Sequence, residues 1–343
     1  MKLQLIINLL VILNSSTGQK LTAKLILQQE SLETLKNSIL YASNSAEREC
    51  RQQFKASKWN CSSVWARPIK MRDPMYMIRR LGNYDVVYKT QCCNGRKCSN
   101  RETAFVHSIN AAAVTYFLTR DCRRGIFRNC ACVRQTGQAG EWRGCNDNVK
   151  FGEVLSKHFL NARHVDKRKA RAVIHLHNNA VGRKAVKKTL KQQCKCHGVS
   201  GGCSSKSCWK TLPLFSEIGD YLKAKYQQAQ KVRLHTNKLV LKLPSRVFAP
   251  LTKKARRSLV FLKPSPDYCH RDTKKGSTGV LGRECSSDSP NYLECIQMCT
   301  SCDYRVEKKL AVRSSKCNCK FVWCCDIKCS ECKKLVAVTK CVR

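Results

Sequence analysis

Acidic residues are scarce in this chain: 23 Asp and Glu face 65 Lys and Arg, leaving a formal charge of +42 over 343 residues. That imbalance implies anionic partners. Long apolar runs are lacking as well. Beyond the opening stretch no segment approaches eighteen apolar residues free of charge, so any membrane attachment is expected to be peripheral or covalent. Usual Asn-x-Ser/Thr acceptors are also missing after Asn14, and Asn60-Cys61-Ser62 has a cysteine in its middle position. No zinc-finger, recognition-helix or stacking-sheet signature accompanies the cations, so nucleic acid is not the expected anion.

Cysteine, by contrast, is abundant. Its 25 residues are too many for a reducing compartment and imply an oxidising exterior, where sulfated glycosaminoglycans and acidic membrane surfaces are the available polyanions. Residues 1–18, MKLQLIINLLVILNSSTG, read as a secretory signal peptide: one early lysine, an apolar run from Leu3 to Leu13, then small polar residues. Cleavage is expected between about Ser16 and Ala23.

The densest chemistry lies in CKCHGVSGGCSSKSCW, Cys194 to Trp209, with four cysteines and three glycines in sixteen residues. No hydrophobic core fits there, so covalent bonds must hold it, and two nested bridges, Cys194 to Cys208 and Cys196 to Cys203, are the simplest hairpin solution. Each such closure stabilises by about 2–3 kcal/mol. Gly198, Gly201 and Gly202 are read as permitting backbone angles that other residues resist. Ser200 then sits at an open tip. GVSGG at 198–202 also satisfies the G-x-S-x-G nucleophile pattern, with His197 beside it, but that mechanism needs a strand running into a helix, an oxyanion hole and distant partners.

CKCHGVSGGCSSKSCWKTLP, Cys194 to Pro213, resembles the lipid-acceptor signature of the Wnt family of secreted signalling ligands, and similarity of this kind extends from about Cys50 to Cys341. The resemblance implies a palmitoleoyl ester on Ser200, added in the endoplasmic reticulum by the acyltransferase Porcupine, whose chain enters a groove of the Frizzled cysteine-rich domain. His197, Gly198, Val199, Ser200 and Gly201 are then receptor-contact candidates. Apart from that covalent lipid no cofactor is expected.

Several blocks carry the resemblance. ECRQQFKASKWNC, Glu49 to Cys61, is similar to the family's first paired block and implies a Cys50 to Cys61 bridge; CRRGIFRNCACV and EWRGCNDNVKFG imply Cys122 to Cys130 and Cys132 to Cys145, with Trp142 retained from a longer family pattern. NYDVVYKTQCCNGRKCSN departs from the family by adding Cys92, Cys93 and Cys98. Asn94-Gly95 reads as a turn, so Cys92 or Cys93 can close on Cys98, leaving one thiol free or available to a second chain.

Helical spacing recurs between these blocks. Leu25, Leu32, Leu35 and Ile39 mark a helix over Leu21 to about Tyr41, and Ala104, Phe105, Ile109, Ala112, Ala113, Tyr116 and Phe117 mark a long one from Glu102. Its aromatics read as core, and His107 as a surface or boundary residue. Phe151, Val154, Leu155, His158 and Phe159 share a face, and Val173, Ile174, Leu176, Val181, Val186 and Leu190 form a stripe. Opposite that stripe stand Lys167, Arg168, Lys169, Arg171, Arg183, Lys184, Lys187, Lys188 and Lys191, suited to heparan sulfate if the apolar side packs in a bundle. LFSEIGDYLKAKYQQAQKV continues as a helix from about Pro213. Residues 238–263 are basic, cysteine-free and read as exposed strand and linker, with KKARR at 253–257 as a solvated loop that also matches a furin-type site.

From Cys269 twelve cysteines occupy 73 residues. That density calls for disulfide-framed hairpins. CNCKFVWCCDIKCSEC has many thiols but no histidine, and a secretory context favours oxidation, so no metal is expected. The family pattern implies Cys285 to Cys295, Cys299 to Cys341, Cys317 to Cys332, Cys319 to Cys329 and an adjacent Cys324 to Cys325 bridge. Thr300 stands where the family has a cysteine, and Cys302 follows, implying a shifted Cys269 to Cys302 bridge. Phe321, Val322 and Trp323, with Cys324 and Cys325, form a hairpin tip with no core to turn into, hence a contact candidate; by resemblance it grips Frizzled opposite the lipid.

The expected fold is Wnt-like and two-domain: a signal peptide (1–18), a mainly helical N-terminal domain (19–237) with the acylated hairpin at 194–208, a basic linker (238–263) and a cystine-rich β-hairpin C-terminal domain (264–343). The two tips suggest a pincer around one receptor domain. The expected function is that of a secreted, non-enzymatic ligand in the extracellular space and matrix, lipid-associated at cell surfaces. Its implied partners are Frizzled, an LRP-type co-receptor, Porcupine, the Wntless carrier and heparan sulfate proteoglycans. The competing readings are a secreted serine hydrolase using Ser200 and a non-signalling basic matrix protein.

Overall fold

The computed structural model describes residues 32–61, 99–134, 144–161, 170–236, 238–242, 248–253, 255–272, 277–287, 292–323 and 326–343. The signal peptide, the first part of the Leu21 to Tyr41 helix, Cys92, Cys93, Cys98, Trp142, Lys167 to Lys169, Cys324 and Cys325 lie outside them. The described residues divide into two compact units, one of 32–53 and 99–265, the other of 54–61 and 266–343.

In the first unit, helix α1 spans Leu32–Gln53 and α2 spans Arg101–Arg123. A short antiparallel pair follows, β1 (Val133–Arg134) with β2 (Cys145–Asn146). Helices α3 (Val149–Asn161) and α4 (Ala170–Lys188) lead into the hairpin β3 (Lys191–Cys196) and β4 (Lys206–Thr211). Helix α5 (Phe215–Gln227) then opens onto β5 (Gln230–His235), β6 (Lys238–Lys242), β7 (Phe248–Pro250) and β8 (Val260–Phe261). These four form one sheet in the order β7-β6-β5-β8, antiparallel except where β5 meets β8.

Helix α2 is the centre of this unit. It is buried along most of its length, with α1, α3, α4 and α5 packed against it. Asn100 caps it by accepting from the Thr103 N–H at 3.0 Å. Phe105, Ile109, Ala112, Ala113 and Phe117 are buried, while half-buried Tyr116 donates its hydroxyl to the Pro213 carbonyl at 2.8 Å. A Cβ added at Gly152 of α3 would run into the Thr115 carbonyl oxygen, and one at Gly182 of α4 into that of Ser108. These two glycines set how closely α3 and α4 approach α2. Charge is buried here as well: Glu102 accepts from Tyr226 Oη at 2.9 Å and from Ser265 Oγ at 2.7 Å. Burial, then the neighbouring Glu102, pushes the Tyr226 phenol well above its ordinary value.

Three expectations change in this unit. Helix α1 runs past Tyr41 to Gln53 because its buried stripe passes from Leu35 and Ile39 to the small residues Ala42, Ala46 and Cys50. Arg183, placed by sequence on the basic solvent side, is 4% exposed and donates to Asn161 Oδ1 at 3.4 Å; burial lowers its pKa to about 10. Residues 238–263, read as exposed strand and linker, supply β6, β7 and β8, and Val232, Val260 and Ile174 make a second small core flanked by Leu239, Leu241, Leu251 and Leu262. Asn178 of α4 closes this edge reciprocally, donating to the Val260 carbonyl and accepting from its N–H, both at 3.0 Å.

The second unit contains β9 (Arg271–Asp272), β10 (Ser277–Thr278), β11 (Glu284–Ser286), helix α6 (Tyr292–Thr300), β12 (Arg305–Val322) and β13 (Asp326–Val342). β13 is central in an antiparallel β11-β13-β12 sheet. The core is largely cystine: the bridges Cys269–Cys302, Cys285–Cys295 and Cys299–Cys341 are buried with Val280, Met298 and Ala56. Residues 54–61, expected in the N-terminal domain, group with this unit. Arg283 donates to the carbonyls of Ser57 and Lys58, both at 2.6 Å, and Lys58 Nζ to that of Ser301 at 2.9 Å. Among the described residues no helix is long and apolar enough to cross a membrane.

Candidate functional site

The hairpin of β3 and β4 is an antiparallel ladder from the Lys191–Thr211 pair to the Cys196–Lys206 pair. Cys194 and Cys208 stand directly opposite one another, with Cα atoms 4.0 Å apart, and are bridged; Cys196 bridges Cys203 at 4.6 Å. The base is anchored electrostatically, because Lys191 Nζ lies 2.6 Å from Glu217 Oε2 on α5. The hydrogen bond from Lys191 is the main cause that holds the exposed Glu217 carboxyl below its ordinary pKa.

Inside the second bridge the chain makes a 3-10 turn at Val199–Gly201. His197 N donates to Ser205 O and Gly198 N to Gly202 O, both at 2.7 Å; Gly201 N donates to Gly198 O and Gly202 N to Val199 O, both at 3.0 Å. Ser200 has φ 55° and ψ 28°, in the left-handed region that non-glycine residues rarely enter. The cross-linked turn around it holds this conformation. Gly201 follows at φ 79°, whereas Gly198 and Gly202 have ordinary angles. At Gly198 the requirement is room, since a Cβ there would meet the Gly202 carbonyl and the Ser204 hydroxyl.

Val199 is 95% exposed, and Ser200 beside it is exposed and makes no hydrogen bond among the described residues. His197 is engaged elsewhere, its Nε2 lying 2.8 Å from Ser207 Oγ. Ser200 joins two strands through its turn, so the strand-to-helix elbow of a hydrolase is not formed here. The turn offers a primary hydroxyl to reagents from outside, with an apolar neighbour alongside.

The second candidate lies at the far end of β12 and β13. Phe321 pairs with Ile327 and Val322 with Asp326; Phe321 is 71% exposed and Trp323 93%. Cys317–Cys332 and Cys319–Cys329 bridge the ribbon below, around an irregularity where Asn318 takes φ 46°. Ile327, also exposed, belongs to this apolar tip and was missed from the sequence, although its position opposite Phe321 follows from hairpin register. Cys122–Cys130 and Cys132–Cys145 are bridged near α2, and Cys50 and Cys61 are both disulfide-bonded. No cluster of side chains among the described residues is arranged to hold a metal.

A helical unit bearing a doubly bridged hairpin with an accessible serine, and a cystine-cored unit bearing an aromatic tip, define an extracellular-type, disulfide-framed protein. The chain belongs to the Wnt family of secreted signalling ligands, whose family model matches residues 19–342. It is 37% identical to human Protein Wnt-8a over 328 residues, covering 90% of this chain and 86% of that protein. Zebrafish Protein Wnt-8b is 39% identical over 320 residues, covering 90% of this chain and 82% of the relative. The fold is likewise similar to a chain in the structure of human WLS in complex with WNT8A, with a TM-score of 0.61, 36% identity, and coverage of 91% of this chain and 99% of that one.

Proposed function

We propose that this Wnt-family chain binds the cysteine-rich domain of a Frizzled receptor through a palmitoleoyl ester on Ser200, with the Phe321-Val322-Trp323 tip as a second contact. The observation that carries this reading is the exposed, left-handed Ser200 on a turn closed by Cys196–Cys203. Such a hydroxyl is open to a membrane acyltransferase of the Porcupine type, and after esterification the chain projects away from the protein. The Wntless carrier is a partner during secretion, a reading supported by the similar fold in the human WLS complex with WNT8A. Signalling then proceeds by receptor occupation and recruitment of an LRP-type co-receptor, without chemical turnover.

Burying about a dozen methylene equivalents at about 0.8 kcal/mol each gives a ceiling of ~10 kcal/mol before ordering and association costs. That exceeds any exposed ion pair, so the lipid is the principal source of affinity. Exposed cations, among them Lys184, Lys188, Arg256 and Arg257, suit heparan sulfate at the cell surface. The test is mass spectrometry of the Ser200 peptide from secreted protein, alongside Frizzled-domain titrations of wild type and Ser200→Ala. The expected result is an esterified peptide and near-complete loss of binding in the variant. Full-strength binding by folded, unacylated Ser200→Ala protein would overturn the reading; turnover abolished by that change would favour the hydrolase, and absence of Frizzled binding a matrix protein.

A further inference from the structure

An open pocket of about 480 Å³ lies within the first unit, away from the hairpin, between α1, α2 and the start of α5. Two guanidinium groups meet in it. Arg120 sits over the Tyr41 and Phe117 rings at 4.9 and 4.5 Å, and Arg48 lies 6.0 Å from the same Tyr41 ring. Arg120 is tied to Asp121, with Nε and Nη2 both reaching Oδ1 at 3.3 and 3.2 Å. Arg48 donates to the Ser45 hydroxyl at 3.1 Å and reaches the Tyr41 phenol, and among the described residues no carboxylate forms an ion pair with it. Bringing two like charges to one phenol costs energy that a bound anion would offset.

The arrangement has the properties of a preorganised anion receptor. Contact with both the Phe117 and Tyr41 rings, together with the Asp121 carboxylate, restrains the Arg120 fork, a group whose donors suit a planar carboxylate. Hydrogen bonding from Arg120, and then from Arg48, also holds the Tyr41 phenol below its ordinary pKa, a sign of the concentrated positive field. Tyr116, Phe117 and Phe215 supply an aromatic wall, and Ser45 and Gln52 of α1 a polar one. Glu49 lines the same pocket and Glu47 stands on the adjoining surface, and because repulsion grows with the charge a ligand brings, a single carboxylate meets less of it than a densely sulfated chain.

We propose that this pocket binds one carboxylate side chain of a partner polypeptide, with an adjacent apolar side chain of the same segment laid against Phe117 and Phe215. The site is independent of Ser200 and of the tip of β12 and β13. It gives the ligand a contact for an acidic, aromatic-containing segment of a second protein.

Saturation-transfer NMR on the intact secreted protein tests this with N-acetyl-Phe-Glu-amide as probe, N-acetyl-Phe-Gln-amide as its neutral counterpart and a sulfated heparin disaccharide. Transfer to the Phe ring and Glu methylenes is expected, with binding roughly tenfold weaker for the Gln peptide and for the Arg120→Gln protein. Because Arg120 also supports Asp121, the exposed Arg48→Gln variant serves as the second arm and should weaken the Glu probe while leaving the thermal transition in place. Equal transfer to both peptides, no loss in Arg48→Gln, or no transfer at all would overturn the proposal. Preferential transfer to the disaccharide would overturn it in favour of a sugar site.

Discussion

Ser200 and Trp323 are each presented at a hairpin tip, exposed to water. Ser200 accepts a left-handed backbone that costs a non-glycine residue of the order of 1–2 kcal/mol, and the cystine on either side offsets it. Trp323, 93% exposed at the end of a two-stranded ribbon, has no core to enter. An aromatic anchor of this kind typically contributes about 2 kcal/mol or more to a protein interface. Trp323→Ala is therefore expected to weaken Frizzled-domain binding by roughly thirtyfold, well short of the loss in Ser200→Ala. Titrating the acylated variant against the receptor domain measures this, and a loss equal to that of Ser200→Ala would show that the tip and lipid do not contribute separately.

Among the elements, α4 has an anchor that depends on pH. His177 Nε2–H donates to the Ser258 carbonyl at 2.9 Å, next to the paired bonds of Asn178 with Val260. Burial is the largest influence on His177 and lowers its pKa from 6.5, with the Ser258 bond opposing; burial lowers His158 likewise. A base with a depressed folded pKa stays neutral in the fold while the unfolded chain takes up a proton. Stability is thus full above pH 6.5 and falls as the pH drops below it toward the folded pKa. Denaturant midpoints measured between about pH 7.5 and about pH 5 should decline. His177→Gln, which keeps a donor for Ser258 but cannot be protonated, should flatten that decline; an unchanged slope would remove His177 from the account.

At the scale of the whole molecule, the excess of cations is distributed over a frame that two different kinds of core maintain. The first unit is held by apolar side chains around α2, the second mainly by buried cystines. Among the described residues few cations are enclosed, Arg183 and Arg283 being examples, and the exposed ones are left for external anions. Heparin retention should fall steeply as salt rises, since screening acts strongly on exposed contacts. Replacing Lys184, Lys187, Lys188, Lys253 and Arg257 by Gln should bring elution to lower salt and release protein from cell surfaces. Unchanged elution would place the polyanion site on other cations.

What could be learned from the chain alone was whatever depends on near neighbours in sequence. The spacing of Phe105, Ile109, Ala112, Ala113 and Phe117 specifies a buried helix by its 3.6-residue period, and four cysteines around three glycines admit a nested hairpin because loops that short leave few pairings. Register around the tip follows from the same locality, and Ile327 was within its reach. Long-range packing decided the rest. Arg183 reads as a surface cation until Asn161 and the close approach of α4 to α2 enclose it, and Ala42 and Ala46 read as neutral until α2 packs on them. The basic composition of 238–263 hides apolar residues that become strands only against α4 and β5, while residues 54–61 leave their sequence neighbours because Arg283, more than two hundred residues later, binds their carbonyls. Periodicity and spacing record which side of an element is apolar; which partner covers that side depends on contacts between segments far apart in the chain, and these exist only in the folded protein.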